Sequence, residues 1–421
     1  MGVARMAVRI DADRLARDLR GLARIGLHED GSVTRLAFSL AELQARHYMI
    51  HLLQRVGLAV RVDGIGNVIG RIEAGGPPAP AVALGSHIDS VPHGGRFDGA
   101  VGAVAALEVA RAIRESGLEL HRPLEVLIFA AEESSRLGFS TIGSSAMAGA
   151  IDPGRLLNLT DRNGERLGEI LARFGISGED VAAARRRPGE VGHYLELHIE
   201  QGRVLMEEGK PLGVVRSIAA PCRLKVAYRG RADHSGATPM HLRRDALVAA
   251  ARLVAFVEDI CVAERPVPVV GTVGVIEAKP GAMNVVPGEA SIWVDLRSTS
   301  LAERTACRDA VIAEAERLAK ARGLALSAET LMEDPPVTMD PEVCELLTGI
   351  SAEHGIEYLF MDSGAGHDAM QMARIAKAGL LFVPSREGIS HNAREWTSLS
   401  EIAAGAQVLL EATLWFTARD A

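Results

Sequence analysis

One eighteen-residue stretch, GSHIDSVPHGGRFDGAVG at residues 85–102, contains two histidines, two aspartates and five glycines. Histidine and carboxylate side chains bind divalent metal ions, and His87 can use one ring nitrogen for an ion while Asp89 accepts the N–H of the other. Asp98 can bridge two ions about 3.5–4 Å apart. Two such ions lower the pKa of a shared water molecule towards about 7 and make hydroxide available. The types and spacing of these residues therefore predict a metal site.

Polar side chains also follow three other apolar segments that are predicted to be strands. They are Glu132 and Glu133 after EVLIFAA, His198, Glu200 and Gln201 in YLELHIEQG, and His391 after LLFVPS. Ligands of open α/β sheets bind outside the carboxyl ends of the strands, so these groups are expected to converge. Carboxylates placed close together need a compensating cation. Three histidines and carboxylates, without cysteine, suit Zn²⁺, Mn²⁺ or Co²⁺.

The segments that must position these groups alternate between strand and helix. Continuous apolar runs predict buried strands, and AVGAVAALEVARAIRES, at the end of the glycine-rich stretch, has the periodicity of an amphipathic helix. Residues from about Asp11 to Gly57 also have helical periodicity, and MGVARMAVRIDADRLARDLRG at the N-terminus predicts an amphipathic helix. Strands that alternate with helices predict an α/β fold with a largely parallel sheet.

A change of pattern near Gly213 predicts a second domain. LGVVRSIAAPCRLKVAYRGRAD and PGEASIWVDLRSTS alternate apolar and polar residues, as half-buried antiparallel strands do, with helical segments near Asp245–Glu264 and Leu301–Arg322. The buried strand AGLLFVPS then returns to the first pattern. The prediction is a discontinuous metal-binding domain at residues 1–212 and 331–421, with a smaller α+β domain inserted at residues 213–330.

Composition and charge argue against several classes of protein. The 421 residues are 48% hydrophobic with a formal net charge of −8, which is typical of a soluble enzyme and unlike a nucleic-acid-binding protein. The four cysteines form no C-x-x-C pair, which argues against a zinc knuckle and against a thioredoxin motif. Their sparse distribution fits a reducing compartment. We find no apolar run long enough for a membrane span and no signal peptide. A soluble cytoplasmic protein is the expectation.

Six motifs, in order, carry a resemblance to a known family. They are GSHIDSVPHGGRFDGAVG, AAEESSRLG, ELHIEQG, GRADHSGATPM, NVVPG, and SGAGHDA followed by VPSREGISHN. The chain resembles the M20 family of di-metal aminoacylases and peptidases, and within it the hydantoinase/carbamoylase branch. The resemblance runs from about Gly31 almost to the end of the chain. It implies a di-metal exopeptidase-like catalytic domain, with a lid and dimerisation domain as the insertion.

The resemblance also implies a metal site with defined ligands. It implies two divalent ions per subunit, either Zn²⁺, Mn²⁺ or Co²⁺. The implied ligands are His87, Asp98 and His198 for one ion, and Asp98, Glu133 and His391 for the other. Glu132 is the implied general base, which takes a proton from the attacking water and passes it to the leaving nitrogen.

Other residues are implied to bind the substrate. His234 is expected to reach the active site of the partner subunit in a homodimer and to stabilise the oxyanion. Asn284 and Arg297 are expected to hold the α-carboxylate of the substrate, whereas without the resemblance Arg297 would be interpreted as part of a surface salt bridge. Gln201 and Gly366 are expected to line the pocket.

The implied reaction is hydrolysis of the carbamoyl C–N bond of N-carbamoyl-L-amino acids to amino acid, ammonia and carbon dioxide. Allantoate amidohydrolase, β-ureidopropionase and N-acyl-amino acid or dipeptide hydrolase are the alternatives. Ser134 stands where the branch commonly has glycine, and VVRSIAAPCRLKV and LRSTS also depart from its pattern, which leaves the substrate open.

A non-catalytic relative would lack Glu132 or one of the implied metal ligands, and none of these residues is missing. The absence of G-x-S-x-G and G-x-x-x-x-G-K-[ST] motifs argues against a serine hydrolase and a nucleotide-binding protein.

Overall fold

Strands and helices alternate along the chain in the computed structural model, which describes residues 8–75 and 77–418. The strands are β1 (Ala59–Val62), β2 (Val68–Ile72), β3 (Ala81–His87), β4 (Leu124–Phe129), β5 (Val191–Ile199), β6 (Leu212–Ile218), β7 (Ala220–Arg229), β8 (Asp233–His234), β9 (Val270–Lys279), β10 (Val285–Val286), β11 (Glu289–Ser298), β12 (Ala325–Glu333), β13 (Val337–Thr338), β14 (Tyr358–Ser363) and β15 (Lys377–Val383). The α-helices are α1 (Ala12–Ala23), α2 (Leu40–Val56), α3 (Ala100–Ser116), α4 (Ile142–Ala148), α5 (Pro153–Leu157), α6 (Leu167–Ala172), α7 (Gly178–Ala183), α8 (Val204–Glu207), α9 (Ala246–Val262), α10 (Leu301–Arg322), α11 (Pro341–Glu353), α12 (Asp368–Met372) and α13 (Leu399–Thr417). Short 3₁₀ helices lie at Met240–Leu242 and Arg386–Gly388. None of the helices in the described part of the chain is long and apolar enough to cross a membrane.

Four parallel strands, in the order β4-β3-β5-β15, form the middle of a nine-stranded sheet. The neighbours on either side are antiparallel, with β2 beside β4 and β6 beside β15, and β1, β13 and β14 complete the sheet. Every residue of β3 and β4 is buried, as expected for strands covered on both faces. The α/β fold with a largely parallel sheet is confirmed. Because the four middle strands are parallel, their carboxyl ends lie at one edge of the sheet.

Helix α3 lies very close to this sheet because small residues form its contact face. Ala103 and Ala106 are fully buried. A Cβ atom at Gly102 would lie 2.3 Å from the carbonyl oxygen of Leu197 in β5 and 2.7 Å from the Cβ of Ser86 in β3. The helix begins at the end of the glycine-rich stretch, so its close packing sets the position of that stretch.

The chain divides into two compact units, one comprising the residues up to Arg216 and from Thr338, and the other Ser217–Val337. The second unit contains an antiparallel sheet in the order β12-β7-β11-β9. Buried residues of β7 and β11 alternate with partly exposed ones and form an apolar core with α9 and α10. The unit boundaries lie a few residues after those expected from the sequence. The role of the second unit as a lid and dimerisation domain stays a prediction.

The helical prediction from about Asp11 to Gly57 is wrong for the residues between α1 and α2. Gly26 and Gly31 have φ angles of 79° and 82°, which a right-handed helix does not contain. The side chain of Ser39 then caps α2 by accepting a hydrogen bond from the N–H of Glu42. Residues 1–7 of the predicted N-terminal helix lie outside the described residues. In the described part of the chain, helix begins with α1 at Ala12.

We expect Gly102→Ala to lower the free energy of unfolding by about 1–3 kcal/mol, because the added methyl group meets a backbone carbonyl that cannot rotate away. The matched control is Gly349→Ala in α11, where a Cβ atom meets nothing within 4 Å. That variant should be neutral or more stable by about 0.4–1 kcal/mol, since alanine restricts the unfolded chain and favours a helix. Urea unfolding of the metal-free protein measures both. Equal midpoints for Gly102→Ala and the wild type would contradict the close approach of α3.

Candidate metal centre

The carboxyl ends of the four parallel strands present side chains that can bind metal ions. β3 ends at His87, and His198 is the last but one residue of β5. Glu132 and Glu133 follow β4, and His391 follows β15 in a loop. His87 and His198 are only 2% and 1% exposed. The base of this site therefore lies within the protein core.

Asp98 lies between two groups of possible ligands. Its Oδ1 atom is 3.7 Å from Nε2 of His87 and 3.2 Å from Nε2 of His198. Its Oδ2 atom is 3.3 Å from Nε2 of His391, and this nitrogen is also 3.3 Å from Oε1 of Glu133. The structure thus brings together the five residues expected to be ligands, in two groups that share Asp98.

The separations between these atoms fit ligands of a common cation. Two ligand atoms that each lie about 2.1 Å from an ion are about 3.4 Å apart in a tetrahedral site. The nitrogen–oxygen separations around Asp98 are between 3.2 and 3.7 Å. Each oxygen of Asp98 faces a different group, as required of a carboxylate that bridges two ions.

Backbone carbonyl groups determine which ring nitrogen of each buried histidine is free to bind an ion. Nδ1 of His87 is 3.1 Å from the carbonyl oxygen of Asp89, and Nδ1 of His198 is 2.9 Å from the carbonyl oxygen of the next residue. In the neutral ring, a nitrogen that faces a carbonyl oxygen carries the hydrogen, which leaves the lone pair on Nε2. The N–H of Gly99 donates to Nε2 of His198 at 3.2 Å, in agreement with this tautomer. Lone pairs that face the Asp98 carboxylate make a donor set suited to a cation.

A glycine turn brings Asp98 back to the end of β3. Gly99 has a φ angle of 64°, and a Cβ atom there would lie 2.4 Å from the ring of His87. Glycine alone combines this conformation with such a close contact. Two donors then orient the carboxylate, since Nε2 of Gln201 and Oγ of Ser390 donate to Oδ2 of Asp98 at 2.7 and 2.6 Å.

Burial and neighbouring charges govern the protonation of the site. Burial raises the pKa of Glu132 well above its ordinary value, and the charge of Glu133 raises it further although His87 opposes both effects. Burial would also raise the pKa of Asp98, but hydrogen bonds with imidazoles of the site hold it well below its ordinary value. Hydrogen bonds with Asp98 and Glu133 raise the pKa of His391 to about 10. Protons therefore supply positive charge to the metal-free site.

The carboxylate of Asp89 has different partners from the one predicted. It accepts hydrogen bonds from the backbone N–H groups of Glu132 at 3.1 Å and Glu133 at 3.0 Å. Its Oδ1 atom is 3.6 Å from Nδ1 of His87, so the backbone carbonyl of Asp89 is the closer acceptor. The reason is that the carboxylate turns towards the two amides. Asp89 therefore has two positioning roles. Its carboxylate holds the segment that carries both glutamates, and its backbone carbonyl holds the His87 ring.

Gln201 and Gly366 both belong to the first unit. Gln201 contacts Asp98, and its φ angle of 59° is rare for a residue with a side chain, which marks it as a constrained position. Its Oε1 atom is buried without a hydrogen-bond partner among the described residues. Gly366 is exposed in the loop between β14 and α12. Its place in the lining of a pocket stays a prediction.

The second unit contains His234 and Asn284 close together, because His234 of β8 pairs with Val285 of β10. Nδ1 of His234 accepts hydrogen bonds from the N–H groups of Gly236 at 3.1 Å and Ala237 at 3.2 Å. The hydrogen of the neutral ring is therefore on Nε2. His234 and Asn284 are both exposed. The Nε2–H group of His234 is thus a prepared hydrogen-bond donor.

Arg297 of β11, also in the second unit, forms an ion pair with Asp295 on the same strand. Nε is 3.0 Å from Oδ1 and Nη2 is 3.1 Å from Oδ2, so the guanidinium group binds both oxygens. Asp295 also accepts a hydrogen bond from Nε of Arg223 at 3.1 Å. The salt bridge that the sequence without the family resemblance predicts for Arg297 is therefore present.

His367 is a buried histidine of the site that the sequence did not single out. Its ring centroid is 4.6 Å from that of His198, and together with Glu196 these residues form a third group of potential ligands. The carboxylate of Glu196 already accepts hydrogen bonds from Oγ of Ser86 at 2.7 Å and the N–H of Ala369 at 2.9 Å. Burial lowers the pKa of His367 well below its ordinary value. Nε2 of His367 is 2.9 Å from Oγ of Ser363, so its ring has a hydrogen-bond partner while it packs edge-on against His198.

Glu395 is a second buried residue that sequence reasoning missed. It is 3% exposed and lies beside Asp98. Both residues had a signal in the sequence, because His367 belongs to the motif SGAGHDA and Glu395 to the segment SHNAREW after β15. Neither follows a predicted strand directly, so the rule based on strand ends did not identify them.

Comparisons with known proteins find similarity over nearly the whole chain. The model of peptidase family M20/M25/M40 matches residues 83–414. The chain is 40% identical over 406 residues to an N-carbamoyl-L-amino acid amidohydrolase of Geobacillus stearothermophilus, over 96% of this chain and 98% of that protein. It is 35% identical over 406 residues to a ureidoglycolate hydrolase of Arabidopsis thaliana, over 95% and 85% of the two proteins. The crystal structure of an amidase of the hydantoinase/carbamoylase family from Burkholderia multivorans matches with a TM-score of 0.90 at 35% identity, over 98% of this chain and 100% of that one.

We expect binding of Zn²⁺ or Mn²⁺ to the metal-free protein at pH 7 to release at least one proton. The pKa of His391 is raised to about 10, so its ring is protonated at pH 7 and must lose a proton before Nε2 can bind an ion. Apparent metal affinity should therefore increase as the pH rises from about 7 towards 10. Titration calorimetry in buffers of different ionisation enthalpy counts the released protons. An observed enthalpy that is the same in every buffer would contradict this prediction.

Proposed function

This chain belongs to peptidase family M20/M25/M40 and is a hydrolase of carbon–nitrogen bonds, and from this premise we propose that it hydrolyses N-carbamoyl-L-amino acids. The products are the L-amino acid, ammonia and carbon dioxide. The similarity to an N-carbamoyl-L-amino acid amidohydrolase over nearly the whole length of both chains supports this substrate class. We further propose that two divalent ions bind in each subunit and that the protein acts as a cytoplasmic homodimer.

The observation that carries this proposal is the position of Asp98 between two ligand groups, beside a buried glutamate that belongs to neither. Oε2 of Glu132 is 3.8 Å from Nε2 of His87, so its carboxylate lies next to the first group. Glu132 is 7% exposed, and Asp98 is 6% exposed. A buried carboxylate that is not itself a ligand is suited to hold and move a proton.

Divalent ions in such a site polarise a carbonyl group and increase the acidity of a nearby water molecule. Glu132 takes a proton from the attacking water and later delivers it to the leaving nitrogen of the ureido group. Burial raises the pKa of Glu132, which brings it closer to the pH at which one group can both accept and donate a proton. Asp89 keeps this glutamate in place through the backbone hydrogen bond to its N–H.

Residues of the second unit supply the proposed contacts to the substrate. His234 carries its hydrogen on Nε2 and is proposed to donate it to the oxyanion of the tetrahedral intermediate in the active site of the partner subunit. Asn284 and Arg297 are proposed to bind the α-carboxylate, for which the fork of an arginine is well suited. Arg297 must then exchange or share its ion pair with Asp295 when the substrate binds.

Other ureido compounds are the second candidate class of substrate. The similarity to a ureidoglycolate hydrolase favours this alternative, which also includes allantoate and N-carbamoyl-β-alanine. N-acyl-amino acids and dipeptides are a third class. All of these substrates require the same attack on a carbonyl carbon, and they differ in the groups on either side of it.

We expect the Mn²⁺- or Zn²⁺-loaded protein to release ammonia from N-carbamoyl-L-amino acids, and a chelator to abolish the release. The panel includes N-carbamoyl-D-amino acids as matched controls, together with N-carbamoyl-β-alanine, allantoate and ureidoglycolate. Higher kcat/KM for one of the last three would assign the protein to that substrate instead. No ammonia from any compound, with cleavage of N-acyl-amino acids or dipeptides, would contradict the ureido proposal.

Two adjacent glutamates permit a direct test of the proposed roles. Glu132→Gln should lower kcat by about 10²–10⁴-fold, because the general base is lost, while the protein still binds the metal. Glu133→Gln is the matched control and should weaken metal binding, because a neutral amide replaces an anionic ligand. Metal content and kcat are measured for both variants. Near-normal turnover by Glu132→Gln would show that another group moves the proton.

A further inference from the structure

The carboxylate of Glu395 joins two loops that are almost three hundred residues apart in the chain. Its Oε1 atom accepts hydrogen bonds from the N–H groups of Phe97 at 2.7 Å and Asp98 at 3.1 Å. Its Oε2 atom is 2.9 Å from Oγ of Ser390. Ser390 directly precedes His391. One buried side chain therefore contacts the backbone of one candidate ligand and the neighbour of another.

The loop that follows β3 is shaped to admit this carboxylate. A Cβ atom at Gly95 would lie 2.0 Å from the carboxyl group of Glu395, so a larger residue at that position would displace this carboxylate. The hydroxyl group of Ser390 lies between two carboxylates, 2.6 Å from Oδ2 of Asp98 and 2.9 Å from Oε2 of Glu395. Glu395 and Asp98 are thus connected twice, once through the backbone and once through Ser390.

The candidate ligands differ in how firmly secondary structure holds them. His87 and His198 are part of buried strands, with side chains 2% and 1% exposed. His391 lies in a loop outside any helix or strand, its side chain is 48% exposed and its φ angle is 57°. The ladder hydrogen bonds of the sheet therefore fix the first two imidazoles, whereas the third depends on contacts within its loop.

We propose that Glu395 is a positioning residue that keeps His391 and Asp98 in place for the Asp98–Glu133–His391 group. This inference rests on the proposed function, in which that group binds a divalent ion. It goes further because it makes the two ion sites unequal. Loss of Glu395 releases the loop of His391 and the backbone of Asp98, while the imidazoles of the other group stay fixed in β3 and β5. Residues that orient metal ligands typically change affinity by about 10–100-fold when they are replaced.

Glu395→Ala and Glu395→Gln separate this role from a general effect on folding. Oε1 of a glutamine can still accept both backbone hydrogen bonds, and its NH₂ group can donate to Oγ of Ser390, whose one hydrogen stays available to Asp98. Titration calorimetry with Mn²⁺ on the metal-free, full-length protein gives the number of ions per subunit and the affinity of each. We expect Glu395→Ala to bind one ion as the wild type does and the second about 10–100-fold more weakly. Glu395→Gln should retain affinity within about threefold of the wild type at both sites.

Two further variants keep the inference testable if Glu395→Ala does not fold. Ser390→Ala removes the shared hydroxyl group and should weaken the same single site. Glu125→Ala is the matched control, since this buried glutamate of β4 binds Arg71 and Arg186 at the end of the strand opposite to the site. It should lower stability without a selective loss of one ion.

The outcomes distinguish this inference from the proposed function. If Glu395→Ala or Ser390→Ala weakens both sites equally, or weakens neither, the positioning role is wrong. Equal losses in Glu395→Gln and Glu395→Ala would also overturn it, because the rescue would have failed. If the wild-type protein binds two ions and Glu395→Ala loses one selectively, the role stands even when no ureido compound is cleaved.

Discussion

The packing of carboxylates against imidazole lone pairs in a buried site is the constraint on which the rest of the structure depends. Asp98 and Glu132 are almost fully buried, and the Nε2 atoms of His87 and His198 face the same small volume. Anions removed from water are costly unless a cation or hydrogen-bond donors face them. Protons can supply part of that positive charge, and divalent ions can supply more. The geometry of the candidate ligands, of Glu132 and of the loops around them meets this requirement.

The protein meets the constraint by placing each ligand on a different element of the sheet edge. The parallel strands β3 and β5 hold two imidazoles rigidly, and the turn at Gly99 returns Asp98 to them. Small residues of α3 allow the helix that follows this turn to lie directly on β5. Asp89 fixes the segment after β4 through two backbone amides. Positions in the fold that contribute no ligand, such as Gly102, are therefore needed to place the ligands.

The two ion sites that the protein is proposed to contain have different structural support. One is built on strands, and the other uses a loop residue, His391, whose neighbours are tied to Asp98 by Glu395 and Ser390. Asp98 belongs to both groups, but the first group keeps two imidazoles held by strands when the loop moves, whereas the second depends on His391. The order in which the ions bind and leave should follow this difference.

The sequence by itself predicted the fold class and the polar residues that follow the strands, because local pattern marks them, and the resemblance to a family selected five candidate ligands and Glu132 among them. Apolar runs show where buried strands end, and the carboxyl ends of parallel strands meet at one edge, so residues such as His87 and His198 were predicted to converge. Only the tertiary structure decided what depends on contacts between distant segments. The carboxylate of Asp89 turns to amides after β4, His367 supports His198 from another loop, and Glu395 reaches Phe97 and Asp98 across nearly three hundred residues. Local periodicity also did not predict the non-helical segment between α1 and α2, because apolar spacing continues there although glycines with positive φ interrupt the helix. The contacts of Asp89, His367 and Glu395 have no signature in local periodicity or spacing, since chain folding alone brings their partners together.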